Sequence, residues 1–154
     1  MATPLDLAAY IVKYCLDKGK PVSNLQLQKI LYFVQLESLK GKSCIEDAIM
    51  PDAKFEAWRF GPVIRDVYYA YNLNAAMPIE NISLGSNSNI EVPNFVDDVV
   101  DKCLEVDPWN LVQIAHREGG PWEKIYTQGY KKLIPNKLII DESNNNHVDA
   151  ILQQ

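Results

Sequence analysis

Ala8, Ile11, Val12 and Cys15 recur at helical spacing behind Thr3, Pro4 and Asp6, which supply a cap, a first-turn proline and an acid at the positive helix end. This pattern predicts a first helix that Gly19 stops ahead of Pro21. Ser23 and Gln26 have the spacing of a capping box and open a second helix. Leu27, Ile30, Leu31 and Val34 form one apolar stripe on it, and Leu25, Tyr32, Leu36 and Leu39 form another. Two stripes require cover on two sides, so helix two is expected at the centre of the fold.

Gly41 ends that helix. Ala53 to Trp58 then alternates apolar and charged positions at first and predicts a short strand. Gly61 and Pro62 punctuate the chain, and the stripe Val63, Val67, Ala70 and Tyr71 predicts a third helix from Pro62 to about Asn72. Between Asn72 and Asn94 there are six Asn, three Ser and only two charged residues, which predicts a loop with a small hairpin among its apolar pieces. Val96, Val99, Val100, Cys103 and Val106 lie opposite Asp97, Asp98, Asp101 and Glu105 and predict a fourth helix. Asp107 and Pro108 start another, which Gly119 and Gly120 stop, and Pro121 restarts a short one. Leu133 to Ile140 is apolar and β-branched but carries Pro135, so it reads as an edge strand or extended arm. Asp141 to Gln154 reads as a frayed C-terminal helix. The expectation is mainly α (α+β): one compact domain over residues 1–154, with about six helices and a small β-hairpin or short strands.

Composition narrows the function. The chain has 154 residues, 15 Lys plus Arg and 20 Asp plus Glu, so its net charge is -5, which disfavours a phosphate-neutralising surface and hence nucleic acid as partner. No stretch approaches the roughly 18 consecutive apolar residues of a membrane span, so neither a membrane partner nor a location outside the cytoplasm is expected. Cys15, Cys44 and Cys103 lie far apart without a C-x-x-C pair and read as reduced thiols, not as a disulfide framework or zinc site. No nucleophile, P-loop or metalloprotease motif is present, and no cofactor or metal is expected.

Several residues invite a chemical reading. His116, before the Gly119-Gly120-Pro121 break, is placed to stabilise the negative end of a helix, and His147 to be solvated in an Asn-rich stretch. Gln28 and Lys29 flank Tyr32 and read as a polar helix edge around its ring. In the run Trp58, Arg59, Phe60, Gly61, Pro62, the indole fits a core corner and Arg59 a surface anchor. Tyr68, Tyr69 and Tyr71 would extend the same surface.

Asn24-Leu25-Gln26-Leu27-Gln28-Lys29-Ile30-Leu31-Tyr32-Phe33 resembles the N-L-K-L-Q-K-L-L-Y-F signature of the Panacea domain family, also called SocA-like antitoxins or phage-associated GepA-like proteins. Glu56 to Val63 is similar to the family's E-A-W-x-Y-G-P-V. Leu111 to Trp122, with His116, Pro121 and Trp122, is similar to a third block. Ile30 stands for a usual leucine, and Phe60 for a usual tyrosine whose hydroxyl is lost. The resemblance implies a mainly helical domain with a small β element and a protein partner. That partner would be a toxin neutralised by direct binding, with delivery to a protease as a further mode, and no enzymatic activity is implied. The rival expectation is a small-ligand pocket or enzyme site gathering Gln28, Lys29, Trp58 and His116.

Overall fold

The computed structural model describes residues 2–72, 76–146 and 148–153; the expected placement of His147 lies outside them. The chain runs α1 (Pro4–Asp17), α2 (Asn24–Ser38), a 3-10 turn (Ile45–Asp47), β1 (Phe55–Trp58), β2 (Gly61–Ile64), α3 (Arg65–Ala70), α4 (Asn94–Leu104), α5 (Pro108–Ala115), α6 (Pro121–Ile125), β3 (Lys132–Leu133), α7 (Asn136–Asn145) and α8 (Val148–Leu152). The fold is α+β, as the periodicity predicts, with more and shorter helices than expected.

The helix starts follow the local chemistry. Thr3 accepts the N–H of Asp6 at 3.2 Å, and Asp107 accepts from Trp109 and Asn110. Both halves of the Ser23–Gln26 capping box are formed. Gly19 takes a left-handed conformation, φ 69°, just past α1, where a side chain would be strained.

α2 is the axis of the molecule, in contact with α1, α3, α4, α5, α7, α8 and β2. Residues 27–36 are all buried, so the two expected stripes merge into a helix covered on every side. Leu7, Ile11 and Cys15 of α1 and Val96, Val100 and Cys103 of α4 belong to the same core.

Three strands make one antiparallel sheet in the order β2-β1-β3, with Phe55 opposite Ile64, Trp58 opposite Gly61 and Glu56 opposite Leu133. The helix expected from Pro62 begins only at Arg65, because Pro62 to Ile64 pair with β1 and are held from below by α2. Such a short apolar run has no periodicity of its own to separate strand from helix. The hairpin expected between Ile79 and Val92 is not formed among the described residues. Ile79 instead donates its N–H to the carbonyl of Val22, beside a bridge from Ser23 to Pro78. The apolar run from Leu133 yields only the end of β3, and α7 starts directly after Pro135. Val148, Ile151 and Leu152 of α8 are buried in the main core.

Candidate functional site

Every side chain of α2 from Leu27 to Leu36 faces protein, so its polar members must find partners inside. Asn24 donates to the carbonyls of Tyr68 and Tyr71, at 2.8 and 3.3 Å. Gln28 donates to Asn24 Oδ1 and accepts the N–H of Ile64 at 2.9 Å. Gln35 closes a two-way bridge to the backbone of Met50. Three amides thus tie the central helix to α3, β2 and the loop before β1 through main-chain groups of each.

Lys29 sits among them. It is fully buried, and its Nζ donates to the carbonyl of Pro62 at 3.2 Å. Burial pulls its pKa down to about 7. The stem of Lys29 lies directly under Gly61, where a Cβ would fall 2.5 Å from Lys29 Cε, and Gly61 has φ +120°. Glycine is required there by backbone conformation and by close approach together.

The third sequence block reaches the same turn from α5 and α6. His116 stacks on Trp122 with ring centroids 3.7 Å apart and planes 6° from parallel, and Trp122 stacks in turn with Tyr126. Trp122 Nε1 donates to the carbonyl of Trp58 at 2.6 Å. Burial, then the charge of Lys29, lowers the His116 pKa to about 4 against an opposing hydrogen bond to the Phe60 backbone. The imidazole is therefore neutral near pH 7. It packs against the indole and brings no charge to the negative end of α5, which it was expected to stabilise.

Above this clasp the hairpin turn is open to solvent. Phe60 is 40% exposed and lies 6.1 Å from the Trp109 ring, itself 55% exposed, and the Arg59 guanidinium rests over Phe60. On the outer face of the sheet the half-buried Trp58 packs with Tyr68 and Tyr69, donates Nε1 to Glu56, and carries Lys131 Nζ 3.9 Å over its ring. Glu56 also holds Arg65 through two hydrogen bonds.

The expected site residues therefore separate into two layers. Gln28, Lys29, Tyr32, Gly61, Pro62 and Trp122 are buried and His116 is half-buried, so the polar edge expected on helix two is internal. Arg59 and Tyr69 are exposed, with Tyr68 and Trp58 half-buried beside them. Gln28, Lys29, Trp58 and His116 do not line the cavities of about 680 and 520 Å³ that lie against the start of α1 and along residues 77–84. Sequence reasoning missed Asn24 and Gln35 as internal staples, and Trp109 and Lys131 as surface. Trp109 carried one signal, its place outside the Leu111, Ile114 and Ala115 stripe. The seating of Lys131 on Trp58 carried none.

A family model described as antitoxin SocA-like, Panacea domain, matches residues 27–123. Antitoxin SocA of Caulobacter vibrioides (strain NA1000 / CB15N) is 31% identical over 136 residues, 77% of this chain and 69% of that protein. No solved structure matches the chain. The matched span takes in Lys29, the whole hairpin, His116 and Trp122, and ends ahead of β3.

Proposed function

Since the chain belongs to the SocA-like antitoxin family with its Panacea domain, we propose that it neutralises a toxin protein by binding it directly, with the face around the Arg59–Phe60 turn as the contact. The observation that carries this reading is the convergence of the three sequence blocks beneath one exposed turn. Lys29, Gly61, Trp122 and His116 hold the turn from inside while Arg59, Phe60 and Trp109 stand in solvent. Aromatic rings and an arginine presented on a rigid support lose little conformational freedom on binding and are the residue types that dominate protein interfaces. The mechanism is steric masking over a contact of about 1,200 to 2,000 Å².

A catalytic reading has less support. A nucleophile or acid–base pair would need access to substrate, whereas Lys29 and Gln28 are enclosed and hydrogen-bonded to backbone. Among the described residues no helix is long and apolar enough to cross a membrane.

The test is co-expression with the reading frame beside this one, followed by affinity measurement on the purified pair. Growth arrest by the neighbour, relieved by this chain, is the expected result. Phe60→Ala combined with Trp109→Ala should weaken the complex by about 2 kcal/mol or more while the fold is retained. Wild-type affinity in that folded double variant rejects the contact face. Rescue that requires a cellular protease would replace masking by delivery.

A further inference from the structure

β3 has β1 on one side only among the described residues, and its other edge is open. Which backbone groups face outward follows from the register. Ile134 donates its N–H to Phe55 O at 2.8 Å, so Phe55 and Ile134 are a hydrogen-bonded pair, and the next pair along, Glu56 and Leu133, is not. The N–H and C=O of Leu133 therefore point away from the sheet. The Leu133 side chain is 54% exposed, and residues 127–133 are exposed throughout.

The chain segment that carries this edge is charged oppositely to the molecule as a whole, with the one carboxylate of β1, Glu56, held by Arg65 and Trp58. Residues 124–137 contain four lysines, at 124, 131, 132 and 137, and no acid, in a chain whose net charge is -5. Lys131 is seated on Trp58, and Lys132 Nζ lies 5.6 Å from the centre of the Tyr130 ring. Leu133 and Lys131 share the outer face of the sheet with Trp58 and Glu56, since directly opposed residues point the same way.

We infer that the open edge of β3 binds an extended, acidic segment of the partner protein as a fourth strand, with an apolar partner side chain on Leu133 and carboxylates at Lys131 and Lys132. The identification of the occupant as a segment of a partner protein rests on the antitoxin reading; the site itself rests on the edge and its charge. A second copy of this chain is the poorer occupant, because two β3 edges side by side would bring lysine against lysine. A nucleic acid is also poorer, because alternating backbone donors and acceptors match a peptide and not a phosphate chain. Pro135, two residues on, keeps the added strand short.

The full-length chain, isotopically labelled, is titrated with the acetylated peptide Thr-Val-Glu-Glu-Thr, which sets valine opposite Leu133 and glutamates opposite Lys132 and Lys131, and with its Thr-Val-Lys-Lys-Thr counterpart, and the amides are followed by NMR and hydrogen exchange. The acidic peptide should shift the Leu133 amide and slow its exchange by about tenfold at saturation, and the basic peptide should do neither. Lys131→Glu with Lys132→Glu should abolish the response to the acidic peptide and transfer it to the basic one. Leu133→Pro, which removes an outward N–H, should abolish both. An unchanged Leu133 amide with the acidic peptide overturns the proposal. So does self-association of the free chain through this edge, or a stronger Leu133 response to an oligo-deoxythymidine than to the peptide. With the toxin in hand, a folded Lys131→Glu/Lys132→Glu variant that rescues growth at wild-type strength rejects the edge and leaves the antitoxin reading standing. Absence of any rescued toxin, with the peptide bound, rejects that reading and leaves an acidic-peptide site.

Discussion

Gly61 and Lys29 act as one unit, since the glycine is bare so that a lysine stem can pass beneath it. Gly61→Ala is expected to destabilise the fold by about 2 kcal/mol or more, through positive φ and overpacking together. An unchanged denaturant midpoint would show that the stem moves aside freely. Lys29 also sets a pH dependence. Its folded pKa, about 7, lies below the ordinary lysine value of 10.5, so between those values the unfolded chain holds a proton that the folded one has released. Unfolding free energy must then rise as pH increases above about 7. His116 acts in the same sense lower down, because its folded pKa of about 4 lies below 6.5 and stability falls as pH drops through that interval. The window closes upward near pH 8.5, where cysteines of the unfolded chain begin to ionise while burial holds Cys15 up at about 11. Urea midpoints at pH 7 and 8.5 should increase in the wild type and level off in Lys29→Met; an equal slope in both would remove Lys29 as the cause. From sequence, Lys29 was legible as a position of interest and illegible as a buried one. A polar residue on a helix is assigned to solvent unless its cover is known, and its acceptor lies 33 residues away.

At the scale of elements, what was legible is what short-range chemistry decides. The capping box of α2 and the Asp107–Pro108 start of α5 follow from groups within three residues of one another. Ser23→Ala should therefore cost about 1 kcal/mol, read as a lower thermal midpoint. The hairpin was half-legible. β1 shows alternation, but β2 reads as helix because Val63 and Val67 fit both periods over so short a run. Its strand state comes from pairing with β1 and from Gln28, which accepts the N–H of Ile64. Trp122 links α6 to the same hairpin through a single bond to the Trp58 carbonyl. Trp122→Phe keeps much of the stack on His116 but removes the bond to that carbonyl, at a cost of about 1 kcal/mol. A stability equal to wild type would show that this bond adds nothing to the hairpin's anchoring.

Across the whole molecule, one core extends from α1 to α8, with α2 through its middle. The end of the chain takes part in it. Ile151 is 2% exposed, so Ile151→Ala should destabilise by about 2 to 4 kcal/mol, measured by chemical denaturation, where a frayed end would give no change. Charge is also distributed at this scale. Asp97 and Asp101 are engaged by Tyr10, Tyr14 and Lys18 along the α1–α4 seam, while Lys131 and Lys132 lie at the open sheet edge. The complex with an acidic partner should accordingly weaken with added salt, mostly through slower association.

The amino-acid sequence by itself determined the helical class, the central place of α2, the helix starts and the family resemblance, because each depends on residue types at short, regular spacing. Only the tertiary structure decided which polar residues are inside, which aromatics stand in solvent and which strand edge is open. Those outcomes depend on partners dozens of residues apart, and on whether a neighbouring element happens to cover a given face, which no local pattern encodes.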